Sequence, residues 1–219
     1  MEKKKIDWTY HLIELVVVFV GITLAFTLNS WRDNYKNHQL EQKYLFSFFD
    51  EITYNSTELD TIIRANEERL KHANQYMSLL TRGHLQNDSA IVILGDMHQI
   101  VQFTPKLSTY QSIKNSGNLT IISNYYLKEN LIKYYQGFEE KKLREAVYNS
   151  YLNEYIIPFA YEHMDFLSQK IINSYAVTSH KFRNLVVGYY QLLKQNIDYY
   201  KIIYETGEDL KLQLNNETH

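Results

Sequence analysis

The 219-residue chain carries 23 Lys and Arg against 25 Asp and Glu, a net charge of −2 with both signs interspersed, whereas a nucleic-acid protein would present a basic face. It has no cysteine, which excludes disulfides, thiolate catalysis and Cys-based zinc sites. Seven Gly and two Pro in the whole chain favour long uninterrupted helices over a turn-rich sandwich or barrel.

The first element is an apolar run, Leu12–Leu28, whose only ionisable residue is Glu14. At 1.5 Å per residue it makes roughly 25 Å of helix, and its flanks extend it to the hydrocarbon thickness. Trp8, Tyr10 and Trp31 bracket it as interfacial anchors. Lys3, Lys4 and Lys5 before it also resemble a secretory signal, but a cleavable signal needs a shorter core and small residues at the cut. Ala25-Phe26-Thr27 is the sole approximation. A helix buried in a soluble core would not need the aromatic brackets. The expectation is an uncleaved transmembrane helix over 12–31, after a short tail 1–11. The three contiguous lysines outweigh Arg32, Lys36 and Lys43 beyond the span, which favours a cytoplasmic N-terminus and a domain outside.

Glu14, Gly21, Ala25 and Asn29 fall on one stripe of this helix. Gly21-x-x-x-Ala25 is a small-xxx-small pattern that lets backbones approach, and polar neighbours can bond across. The stripe therefore offers a homo-oligomeric contact; the alternative is that Glu14 snorkels to the interface and Gly21 is incidental.

Glu14-Leu15-Val16-Val17-Val18, then Gly21-Ile22 and Asn29-Ser30-Trp31, resemble the N-terminal signature of a family of uncharacterised bacterial membrane proteins common in Bacteroidota. Tyr110–Leu119 is similar to that family's second recurring segment. The resemblance implies one anchor helix followed by an α-helical region, and no activity. The expected location is accordingly the bacterial inner membrane, single-pass, with a periplasmic domain.

From Asp33 to Thr81 apolar residues recur at steps of three and four, including Leu40, Tyr44, Phe48, Ile52, Leu59, Leu70 and Leu80. This predicts a long stalk helix over 32–82 that continues the anchor. Asn55-Ser56-Thr57-Glu58 resembles a capping box and is the place for a break. The rest of a helical bundle follows over 83–214. Asp88 should cap a helix reaching Phe103, stopped by Thr104-Pro105, and Ser108 a short one ended at Gly117. Ile91–Leu94 could also form a short strand, without an evident partner. Asn124 should start a helix to Ile157, broken or kinked at Pro158. Phe159–Asn173 reads as helix again, and Ser179 as the cap of a last helix from His180 to Leu214. A frayed tail, 215–219, ends the chain. The fold class is all-α, an antiparallel bundle of about four main helices.

Motifs for chemistry are missing. None of the eight histidines follows a Glu by three residues, as a di-iron bundle requires, and there is no His-Glu-x-x-His. Glu68 with His72, and Asp96 near His98, are the nearest approaches to a metal site and read as solvated or core positions. No Gly-x-Ser-x-Gly elbow, Ser-x-x-Lys or phosphate-binding glycine loop occurs. The pairs Asp50-Glu51, Glu67-Glu68 and Glu139-Glu140 point adjacent carboxylates about 100° apart, so they do not converge. No cofactor or metal is expected, and no enzyme.

Twenty tyrosines are the compositional oddity. The doublets Tyr134-Tyr135 and Tyr189-Tyr190, like Tyr125-Tyr126 and Tyr199-Tyr200, either fill the seams of the bundle or form an aromatic surface for a partner. The expected function is interaction: a membrane-anchored sensor or scaffold of the cell envelope, its partners the lipid bilayer, a second copy through the anchor, or another membrane protein. The alternative is an accessory subunit of a membrane enzyme or transporter, and a third, a metal-dependent hydrolase, would need bound metal.

Overall fold

The computed structural model describes residues 8–82, 87–99 and 102–218; Lys3, Lys4, Lys5, Gly83 and Val101 lie outside them, as do the side chains of Trp8 and Tyr10. One helix, α1 (Trp8–Arg82), dominates the molecule. Its 75 residues make a rod of roughly 110 Å. No Pro occurs in it, and Gly21 is its single Gly. The polar quartet at Asn55 does not break it. Asn55 is fully buried and bonds the chain it packs against: its Nδ2 donates to Lys106 O at 2.9 Å, and Lys106 N donates to its Oδ1 at 2.8 Å.

Helix α2 (Asn87–His98) folds back on α1, and α3 (Ser108–Asn115) follows an extended segment. The predicted extension of α2 to Phe103 is corrected: the helix stops at His98, and Phe103 is instead a core residue of the extended segment. No strand forms at Ile91–Leu94, which lies inside α2. Ser108 does not cap α3; it is the first residue of the helix, and its hydroxyl donates to Glu51. Gly117, at φ +72°, takes the left-handed position after α3 and leads into a 3₁₀ turn, Asn118–Ile121. Asn124 caps α4 (Tyr125–Tyr151), accepting from Leu127 N at 3.1 Å.

A π-helical turn, Leu152–Ile156, precedes α5 (Ile157–His163). Pro158 sits in the first turn of α5, where its missing N–H is tolerated. Buried positions along α4 alternate by four and three up to Tyr148 and Leu152; the π turn then adds a residue, so Ile156 is buried and Tyr155 is turned out. The predicted helix over Phe159–Asn173 is corrected. It ends at His163 and gives way to a hairpin, β1 (Met164–Asp165) with β2 (Lys170–Ile171). Asp165 Oδ1 accepts from Leu167 N and Oδ2 from Ser168 Oγ, an Asx turn that outcompetes the helix. After α6 (Ser174–Thr178), Ser179 caps α7 (His180–Thr218) as expected, accepting from Phe182 N at 3.2 Å. The tail expected to fray is helical to Thr218, pinned where Gln42 Nε2 donates to Glu217 O and Asn124 Nδ2 to Glu217 Oε1.

Helix α7 runs antiparallel to α1, with Glu67 against Lys201 in the middle and Tyr76 against Phe182 at the far end. Helix α4 is antiparallel to α7 and so parallel to α1, with Asn130 bonded to Gln213 and Tyr151 to Leu185. Among the described residues the bundle thus has three long helices, where about four main ones were expected. Its core sits along their shared seam, where Leu45, Phe48, Ile52, Leu131, Phe138, Phe182, Val186 and Leu193 are buried. Each such side chain contributes about 1.5–3 kcal/mol of burial.

Candidate functional site

The bundle begins near Leu40; in the preceding part of α1 every described side chain, from Leu12 to Gln39, is exposed. Every large apolar side chain from Leu12 to Trp31 is between 48% and 71% exposed. This helix is long and apolar enough to cross a membrane, with an 18-residue window of mean hydropathy 2.2 and none of it buried. Thr23 Oγ1 donates to Phe19 O and Thr27 Oγ1 to Thr23 O, both at 2.8 Å, the same bond to the preceding turn that Thr57, Thr61 and Thr206 make in the bundle. Glu14, Gly21, Ala25 and Asn29 are all exposed. A Cβ on Gly21 would meet nothing within 4 Å, and Asn29 Nδ2 donates to Asp33 Oδ2 at 3.4 Å. Trp31 stacks on Tyr35 at 6.2 Å, just past the C-terminal end of the apolar run.

Inside the domain lie polar groups that the apolar stripes conceal. Glu51, 1% exposed, accepts from Thr109 N at 2.7 Å, Ser108 Oγ at 2.8 Å and Tyr135 OH at 2.8 Å. Glu41 accepts from Ser123 N at 2.6 Å and Ser123 Oγ at 2.7 Å. Lys141 pairs with Glu145 at 2.9 Å, both buried, donates to Phe103 O, and Tyr200 OH donates to Glu145. Each cluster fastens the connection between α2 and α4 to a long helix. The carboxylates and the Lys141 ammonium are buried, while Ser108 and Ser123 are exposed with their hydroxyls held by Glu51 and Glu41.

Sequence reasoning missed these residues, although a signal existed. Glu41 and Asn55 fall in step with Leu45, Phe48, Ile52 and Leu59, and Lys141 with Glu145 in step with Phe138 and Tyr148. A polar residue in register on an apolar seam is buried and must be partnered.

The tyrosines set aside for a surface divide. Tyr134, Tyr135 and Tyr189 are core residues, which corrects the surface reading for these three. Tyr135 stacks on Tyr110 at 4.3 Å and meets Tyr134 edge-on at 5.1 Å. Burial pushes the phenols of all three up, and Glu51 reinforces this at Tyr134 and Tyr135. Tyr190 alone is half-exposed, beside Glu67, Leu70 and Lys71.

For chemistry, His72 Nδ1 and Asp96 Oδ2 stand 2.6 Å apart beside an open groove of about 220 Å³ that Ser89 also lines. No hydrogen bond joins Ser89 to this pair, and no group of three or more metal-ligating side chains converges, among the described residues. Glu68 bonds Lys71 rather than His72.

Compared with models of protein families, with curated proteins and with solved structures, the chain matches none.

Proposed function

We propose that the protein is a membrane-anchored helical interaction protein without catalytic activity of its own, a sensor or scaffold of the bacterial cell envelope. Leu12–Trp31 spans the inner membrane once, the N-terminus is cytoplasmic and the bundle stands in the periplasm. The observation that carries this reading is the exposed apolar run continuous with a buried one on a single helix: water is a poor solvent for the first and a bilayer a good one. The polar clusters support a non-enzymatic role, since their groups are spent on one another.

Membrane fractionation tests the anchor. The full chain should sediment with membranes through carbonate washing and dissolve only in detergent; recovery in the soluble fraction would refute it. A C-terminal alkaline phosphatase fusion should be active, and an active cytoplasmic reporter instead would reverse the orientation. The stripe Glu14, Gly21, Ala25 and Asn29 pairs two copies in this reading, so Gly21→Leu should reduce crosslinking in membranes. Copurification of a larger stoichiometric partner in mild detergent would favour the accessory-subunit role.

A further inference from the structure

Two tyrosines at the start of α4 are exposed, Tyr125 at 61% and Tyr126 at 78%. They meet edge-on at 5.8 Å, and Lys128 Nζ stands 5.5 Å over the Tyr125 ring. Their place in the bundle is fixed from three sides: Ser123 is bonded to Glu41, Asn124 to Glu217, and Glu217 to Gln42. The start of α4 therefore lies at the height of Glu41 on α1, ten residues beyond Trp31, or roughly 15 Å along the axis.

Direction matters as much as height. Side chains on a helix lean toward its N-terminus, and α4 runs parallel to α1, so its first turn leans back toward the apolar run. The polar layer of a bilayer covers roughly 5–7 Å beyond the hydrocarbon. Membrane helices tilt by about 20° on average, and α4 stands about one helix diameter, roughly 10 Å, to the side. A tilt toward α4 lowers that corner of the domain by roughly 3 Å more. The remaining gap is within reach of a phenol side chain and a lysine.

We infer that Tyr125, Tyr126 and Lys128 form a foot that rests on the headgroup layer of the same bilayer α1 crosses. The phenols occupy the interface, where tyrosine is enriched, and the Lys128 ammonium faces the lipid phosphates. The foot fixes the direction in which the rod leans. This rests on the membrane reading above, and the occupant follows from continuity with the anchor on the same rigid helix.

The chain's lack of cysteine allows one fluorophore to be placed at a time on the full protein, reconstituted in vesicles of phosphatidylethanolamine and phosphatidylglycerol. Nitroxide lipids labelled on the headgroup or on the acyl chain serve as quenchers. A probe at Thr120→Cys, in the turn before α4, should be quenched by the headgroup label about twofold more than one at Gln75→Cys near the far end. Adding Tyr125→Ser and Tyr126→Ser should return it to the Gln75 level. Equal quenching at Thr120 and Gln75, or quenching at Thr120 that survives the serine changes, overturns the foot. A probe at Leu24→Cys separates the two claims. If the acyl-chain label quenches Leu24 while Thr120 stays dark to the headgroup label, the anchor stands and the foot falls; if Leu24 is unquenched, both fall.

Discussion

Replacing Glu51 by alanine removes one carboxylate and strands three donors. Ser108 is exposed and can turn to water, but Thr109 N and Tyr135 OH lose an acceptor within the packed interface of α1, α3 and α4. Leaving a buried donor without a partner costs about 1–3 kcal/mol, so two such groups cost about 2–6 kcal/mol, with about 4 kcal/mol as the centre. A domain of this size holds on the order of 5–15 kcal/mol in all, so the loss is a large share of it. Thermal unfolding of the full chain in detergent should show a midpoint lowered by roughly 8–16 °C. Near-UV circular dichroism from the tyrosines is the suitable signal, because Tyr76, Tyr134, Tyr135, Tyr189 and Tyr200 are buried in the core while Trp31 is exposed beside the apolar run. Tyr135→Phe deletes one donor and should cost less than half as much. A Glu51→Ala loss below about 1 kcal/mol would refute the reasoning, since it would mean the donors find water without penalty.

Gly188→Ala would set a methyl 2.7 Å from Tyr151 Cζ, displacing the ring and its 2.9 Å bond to Leu185 O; a loss of about 1–3 kcal/mol is expected, with Tyr151→Leu restoring part of it in a double-mutant cycle. Burial holds the Tyr148 phenol up to about 12 from its ordinary 10.0, and Tyr76, Tyr135, Tyr189 and Tyr200 are raised further. The folded state therefore binds these protons more tightly than the unfolded chain. Stability should be intact below pH 10 and fall between about pH 10 and 12, with buried tyrosinate absorbance appearing together with loss of structure. Leu167, 98% exposed at the hairpin tip, should accept serine with a stability change within about 0.5 kcal/mol by the same melts.

Where the chain's own periodicity decided structure, it was legible. The stripes of α1 and α7, the Asn124 and Ser179 caps and the left-handed Gly117 all follow from local rules. The departures occur where a side chain finds a distant or competing partner. Asn55 has the look of a helix start, yet the backbone of Lys106, 51 residues away, satisfies it. Phe159, His163, Phe166 and Ile171 keep helical spacing, yet the Asp165 carboxylate gathers the next turn's donors into a hairpin. The terminal residues of α7 lack an apolar signal and are held by polar bonds to α1 and α4. The apolar run of α1 was the most legible part, because its exposed side chains face no competing partner in the bundle.

The absence of Gly or Pro between Ile22 and Arg82 makes α1 a driveshaft. Twisting its lower end by one residue step swings the far groove by about 100°, and a vertical shift of the lower end lifts the distal hairpin by the same amount. Inserting a glycine pair near Tyr35 would put a universal joint in that shaft, uncoupling the two ends while leaving each intact.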